Sequence, residues 1–168
     1  MSLRPMLLAA VAAVLATVPA TAQQPCSTCT QTATLSVQVP TVMRLVLDAP
    51  TTVVATATEA GYDRGYEVTT GPTATVKANV PWRLDISATQ ETWTPAGAGA
   101  RTDKPVTDLS WSASPAGHYT PMGTTPAVAA TGRPGHTAVP LTYRTKFSYE
   151  TDSPGSYQIV IKLTLAAS

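Results

Sequence analysis

The chain has 168 residues, a single Phe, two Cys and an almost balanced charge of eleven basic against ten acidic residues. A nucleic-acid-binding protein usually shows a clustered basic excess, and a membrane-surface protein usually shows basic amphipathic helices. The sequence has neither pattern, so we expect no nucleic-acid partner and no membrane-surface helix.

Residues 1–22 have the three parts of a secretory signal peptide. Arg4 is the single cation, residues 6–18 are small and apolar, and Ala20-Thr21-Ala22 has the A-x-A form of a cleavage site. A membrane-spanning helix needs about 20 apolar residues, more than this run supplies. We therefore expect cleavage before Gln23, no membrane insertion of the mature chain, and a secreted or cell-surface protein, with the periplasm as a further location.

The mature chain predicted by this cleavage is electrically neutral. Removal of residues 1–22 takes away Arg4 and no acidic residue, which leaves ten basic and ten acidic side chains. The remaining length suits one domain with its own core. We expect a flexible leader at residues 23–31 and a single domain over residues 32–168.

The leader carries Cys26 and Cys29 in a C-x-x-C spacing. In redox enzymes this motif opens a helix after a strand, whereas a strand-like pattern follows it here. A zinc site needs four ligands, and His118 and His136 stand apart in segments rich in Gly and Pro. We expect a disulfide, within one chain or between chains, and no metal or cofactor.

Alternation of apolar and polar residues predicts strands through much of the mature chain. Even positions are apolar over residues 74–88, where Pro81 predicts a bend or an edge. Residues 139–149 and 155–165 also alternate, and the turn at Asp152-Ser153-Pro154-Gly155 between them predicts an antiparallel hairpin.

The remaining segments complete an all-β prediction without helical periodicity. Weaker strands are predicted at residues 35–39, 43–47, 53–57 and 66–68, and loops at residues 94–105 and 112–137. The total is seven to nine strands. Because an antiparallel sheet with one apolar face has to cover that face, we expect an immunoglobulin-like β-sandwich.

Residues 32–39 alternate cleanly and carry no charge. We call them the N-terminal segment. They fit the first strand of their own sandwich, which is the favoured interpretation, or a strand added to the sheet edge of a neighbouring molecule.

Three aromatic residues, Trp93, Trp111 and Tyr119, are candidates for a binding surface. Leu109 and Trp111 also share a phase that predicts a core position, and Trp82 is in phase with the core face of its strand. A nucleophile elbow of the G-x-S-x-G type is missing from the sequence, and we expect no enzymatic activity.

Trp82-Arg83-Leu84 is the tripeptide that names the WxL family of bacterial cell-surface domains. Leu109-Ser110-Trp111 and the closing Pro154-Gly155-Ser156-Tyr157 with Leu163-Thr164-Leu165 are similar to the way those domains end. The chain also resembles secreted sandwiches of the fimbrial and spore-coat-U types. These resemblances imply a secreted bacterial β-sandwich at the cell surface, and only this fold and location are carried over.

We expect a structural or adhesive role, at the surface or in an appendage. The expected partners are other surface proteins or copies of the same chain. The alternative is a module that binds cell-wall or other glycans.

Overall fold

The computed structural model describes residues 28–48, 52–114 and 117–168. Within them, residues 39–168 belong to one compact unit, and residues 28–38 belong to another. The strands, in chain order, are β1 (Met43–Leu47), β2 (Tyr66–Ala78), β3 (Trp82–Ala88), β4 (Thr94–Ala96), β5 (Leu109–Ser112), β6 (Thr120–Pro121), β7 (Ala127–Gly132), β8 (Gly135–Lys146), β9 (Ser156–Gln158) and β10 (Ile161–Ala167). One helix, α1 (Glu59–Arg64), and a 3₁₀ turn at Val106–Asp108 complete the described elements.

All of these strands pair antiparallel, which confirms the all-β prediction. A five-stranded sheet has the order β1-β2-β8-β5-β6, a three-stranded sheet has the order β10-β3-β7, and β4 pairs with β9. A register shift between Thr70 and Thr73 bends β2 against β8. The bulge lets one long strand follow the twist of its partner.

The core lies between the five-stranded and three-stranded sheets. Both sheets contribute to each of its two clusters: Trp82 and Leu84 of β3 pack with Ala74, Val76 and Val139 of the larger sheet. The second cluster consists of Ile86, Ala88, Val106, Leu109, Trp111, Met122, Leu141 and Tyr143. Two apolar faces thus cover each other, as the alternation predicts.

The predicted interruption at Pro81 is confirmed. β2 ends at Ala78 and β3 begins at Trp82, and they belong to different sheets. Most apolar even positions on both sides are buried, with Trp82 fully enclosed, and Ala78 and Val80 near Pro81 are half-buried. Pro81 marks the place where the chain passes from one sheet to the other.

The predicted hairpin of residues 139–149 with 155–165 is wrong. β8 pairs with β2 and β5, whereas β10 pairs with β3 in the other sheet. The chain between them first forms β9, which pairs with β4. Residues Asp152-Ser153-Pro154-Gly155 therefore begin a crossover between sheets.

Further predictions need correction, since the described residues form ten strands where seven to nine are predicted. The predicted loop at residues 112–137 contains β6, β7 and the start of β8, and the predicted loop at residues 94–105 contains β4. The predicted strand at residues 53–57 is not a strand. A helix, α1, forms where none is predicted, because Thr58 accepts a hydrogen bond from the Gly61 amide and Gly65 ends the helix at a φ of 78°.

Candidate functional site

The strands β1 and β10 are the outer strands of their sheets at one side of the molecule. Within the described residues, β1 pairs only with β2, and β10 pairs only with β3. Some Cα atoms of β1 and β10 lie within 8 Å of each other, yet no backbone ladder joins the strands. Each therefore presents a row of amide and carbonyl groups that a further strand can pair with.

Leucine side chains between these two strand edges are only partly covered. Leu45 and Leu47 of β1 and Leu163 and Leu165 of β10 pack against the cluster around Trp82, and all four are half-buried. We call the two strand edges with these four leucines the edge site. It combines unpaired main chain with apolar surface that is still open to solvent.

The N-terminal segment forms no strand in its own chain. Every residue from Thr28 to Val42 is exposed and without regular structure. The exposed fractions of the apolar side chains are 88% for Leu35, 74% for Val37 and 77% for Val39. The favoured interpretation, a first strand of its own sandwich, is therefore not the arrangement observed.

Asn79 fixes the point where the compact unit begins. Its side-chain amide donates to the Pro40 carbonyl at 2.7 Å, and its Oδ1 accepts from the Val42 amide at 2.7 Å. These two bonds hold the approach to β1 although residues 40–42 belong to no strand. The side chain of Asn79, the single Asn of the chain, thus anchors the end of the irregular segment at the start of β1.

The three candidate aromatic residues do not form one surface. Trp111 is 5% exposed and belongs to the core, as its shared phase with Leu109 predicts. Trp93 is half-buried against the same core and donates through Nε1 to the Pro105 carbonyl. Tyr119 is half-buried and lies under the Arg144 guanidinium, 4.6 Å from the ring centroid.

The cysteine pair falls across the limit of the described residues. Cys29 is exposed within the irregular stretch before β1. Cys26 lies outside the described residues, so the disulfide between Cys26 and Cys29 stays a prediction.

A buried ionic cluster lies where the sequence predicts only a loop and a turn. Lys104 is 1% exposed, and its Nζ lies 2.7 Å from Asp152, 3.3 Å from Asp108 and 3.0 Å from the Lys146 carbonyl. Arg101 lies 3.1 Å from Asp108 and 3.4 Å from Asp152. Two cations thus face two carboxylates, which offsets the cost of burying them.

This cluster joins the chain after β4 to the crossover after β8. The Lys104 ammonium also lies over the rings of Phe147 and Tyr157, at 5.3 and 5.8 Å from their centroids. The spacing of Lys104 and Asp108 is a local signal that sequence reasoning could have used. Asp152 lies 48 positions from Lys104, so no local pattern connects them.

An aromatic stack beside α1 is the most exposed group of rings. Tyr62 and Tyr149 are stacked with centroids 4.7 Å apart, and Tyr149 is 65% exposed. Burial, then the charge of Asp152, raises the pKa of Tyr62. Desolvation, then the neighbouring Asp63, raises the pKa of Tyr149. Both phenols therefore stay neutral to higher pH than a free tyrosine.

Neither a metal-binding cluster of side chains nor a membrane-spanning helix occurs in the part of the chain that the structure describes. Three or more His, Cys, Asp or Glu side chains do not come together there in a way that could hold a metal ion. In that same part, no helix has the length and apolar character required to cross a bilayer. His118 is exposed on a loop, and His136 is exposed on β8.

A scan of the chain against protein-family models finds no match, and a search of the curated proteins finds none either.

Proposed function

We propose that this protein is a secreted structural subunit of the cell surface, without catalytic activity, that joins copies of itself by strand addition. In this proposal the N-terminal segment of one molecule pairs with the edge site of the next. The observation that carries it is the set of half-buried leucines between two unpaired strand edges. We propose further that the fold is an immunoglobulin-like sandwich lacking one edge strand.

The two surfaces match in chemistry. Leu35, Val37 and Val39 project from one side of an extended chain at every second residue. Leu163 and Leu165 have the same spacing along β10. Burial of each side chain in the N-terminal segment contributes about 1.5–3 kcal/mol, and main-chain hydrogen bonds fix the register.

The absence of charge in the N-terminal segment also favours this use. A long uncharged edge or segment is an aggregation hazard that secreted proteins normally cover. Pairing with a second copy covers both the segment and the edge site in one step. The contact is heterologous, so it generates an open head-to-tail polymer rather than a closed dimer.

Deletion of residues 23–39 tests the proposal. We expect the full mature chain to sediment as polymers under native conditions and as a single species in denaturant. The truncated chain should be a folded, soluble monomer, because the deleted side chains contribute nothing to its own core. Its melting temperature should lie below that of the polymer and rise when the edge site is filled. The truncated chain should also bind an added peptide of residues 30–39.

A matched pair of variants distinguishes strand addition from nonspecific aggregation. Leu35→Ser with Val37→Ser should abolish assembly of the full chain, and the same two changes in the peptide should abolish its binding to the truncated chain. Ser36→Ala with Gln38→Ala changes the alternate side of the same strand and should leave both intact. A truncated chain that is unfolded, or a full chain that is monomeric together with a truncated chain that binds no peptide, contradicts the proposal.

A further inference from the structure

Three basic side chains form a row across the exposed face of the five-stranded sheet. Arg44 of β1 lies opposite Lys77 of β2, and Lys77 lies opposite His136 of β8. All three are exposed. Neighbouring strands lie about 4.8 Å apart, so these side chains are adjacent, and like charges in this position destabilise a sheet.

The same three residues line a shallow depression in this face. It has a volume of about 460 Å³, and its remaining walls are Val42, Ala78, Asn79 and Gly135. Both polar ends of the Asn79 side chain are held by backbone groups, as described above. The Asn79 side chain is therefore held in place beside Arg44, Lys77 and His136.

No carboxylate balances this row in the part of the chain that the structure describes. Arg44, Lys77 and His136 take part in none of the ion pairs found there, which join Arg64, Arg83, Arg101 and Lys104 to acidic side chains. The strands β1, β2 and β8 contain one acidic residue, Glu67, which bonds to Arg64 and Thr58. Asp48, just after β1, accepts from the Thr73 amide. The neutral mature chain is thus positive on one face.

We propose that this basic depression binds the acidic groups of an extracellular polysaccharide. A polymer with regularly spaced carboxylate or sulfate groups can meet neighbouring cations of the row and relieve their repulsion. Aromatic rings that would stack on unpaired bases are missing from the depression. The apolar anchors of an interfacial helix are missing too. The site does not depend on assembly by strand addition.

Binding to immobilised alginate, with neutral dextran as the reference, tests this site in the mature chain. Arg44→Gln with Lys77→Gln should weaken binding roughly tenfold or more, which corresponds to a loss of about 1.4 kcal/mol. Lys146→Gln with Lys162→Gln removes the same charge from exposed positions outside the depression. This control pair should change the affinity less than twofold.

Three results overturn the proposal. They are an equal loss in both double variants, equal binding to dextran, and stronger binding to duplex DNA or to vesicles of anionic lipid than to alginate. Melting temperatures of the variants should not fall below that of the parent chain, which excludes unfolding as the cause. Repeating the assay with residues 23–39 deleted removes the avidity that a polymer would add. Loss of polymer assembly can then be distinguished from loss of polysaccharide binding at the depression.

Discussion

Tyr143 is a core residue that carries an ionisable group. It lies on β8 opposite Trp111 of β5 and is 6% exposed. Burial raises the pKa of the Tyr143 phenol to about 12, from an ordinary value of about 10. Ionisation of this phenol is therefore less favourable in the folded chain than in the unfolded chain.

This shift predicts a loss of stability in alkaline solution. Between about pH 10 and pH 12 the unfolded chain releases the Tyr143 proton and the folded chain keeps it, so the free energy of unfolding falls as the pH rises. Below about pH 10 the contribution is fully present. Tyr143→Phe keeps the ring and removes the ionisation, and should therefore flatten this part of the pH profile.

Urea unfolding at pH 8 and pH 11 measures the effect. Tyr66→Phe is the control, because the Tyr66 ring lies on the solvent side against the guanidinium groups of Arg64 and Arg144. An unchanged alkaline slope in Tyr143→Phe would show that other phenols, such as Tyr62 and Tyr149, cause the loss.

The buried ionic cluster connects two irregular segments, the chain after β4 and the crossover after β8. These two segments form no strand pairing at the cluster. Lys104→Met should lower the free energy of unfolding by about 3 kcal/mol, because Asp152 stays buried with only Arg101 as its counter-charge. Lys146→Met is the matched control: the Lys146 side chain is exposed, and only its carbonyl meets the cluster. Urea denaturation checks both variants, and equal stability of Lys104→Met and the parent chain would contradict a supporting role.

Alternation in the sequence locates the main strands well, but it does not choose their partners. In residues 74–78 and 82–88 the alternation identifies the side chains that face the core, because every second residue points toward it. The same pattern around Asp152-Ser153-Pro154-Gly155 fits a hairpin or a crossover equally well. Contacts such as Lys104 with Asp152 decide between them, and these are distant in sequence.

Short elements and exposed segments are where pattern reasoning fails. β7 is an edge strand whose Ala and Thr residues resemble loop composition. The N-terminal segment has the alternation of a strand, although among the described residues it pairs with no other strand. A period of two shows that a segment is suited to a sheet, and it does not show which molecule supplies that sheet.

At the scale of the whole molecule, the two proposed interaction surfaces differ in character. The edge site is apolar and offers unpaired main chain, whereas the row of Arg44, Lys77 and His136 is cationic and lies on a sheet face. Net charge and composition predict neither, because a neutral total hides an uneven distribution. The register between strands is what brings Arg44, Lys77 and His136 together, and register cannot be obtained from one strand alone.

A polymer built through the edge site has two unlike ends. One end displays a free N-terminal segment, and the other displays a free edge site. A subunit without residues 23–39 can accept a segment and then offers none, so it acts as a chain terminator. We expect mean polymer length, measured by sedimentation, to fall in inverse proportion to the terminator fraction. Unchanged lengths would contradict directional growth, whereas the expected decline would let a small dose of a truncated form set the length of the whole assembly.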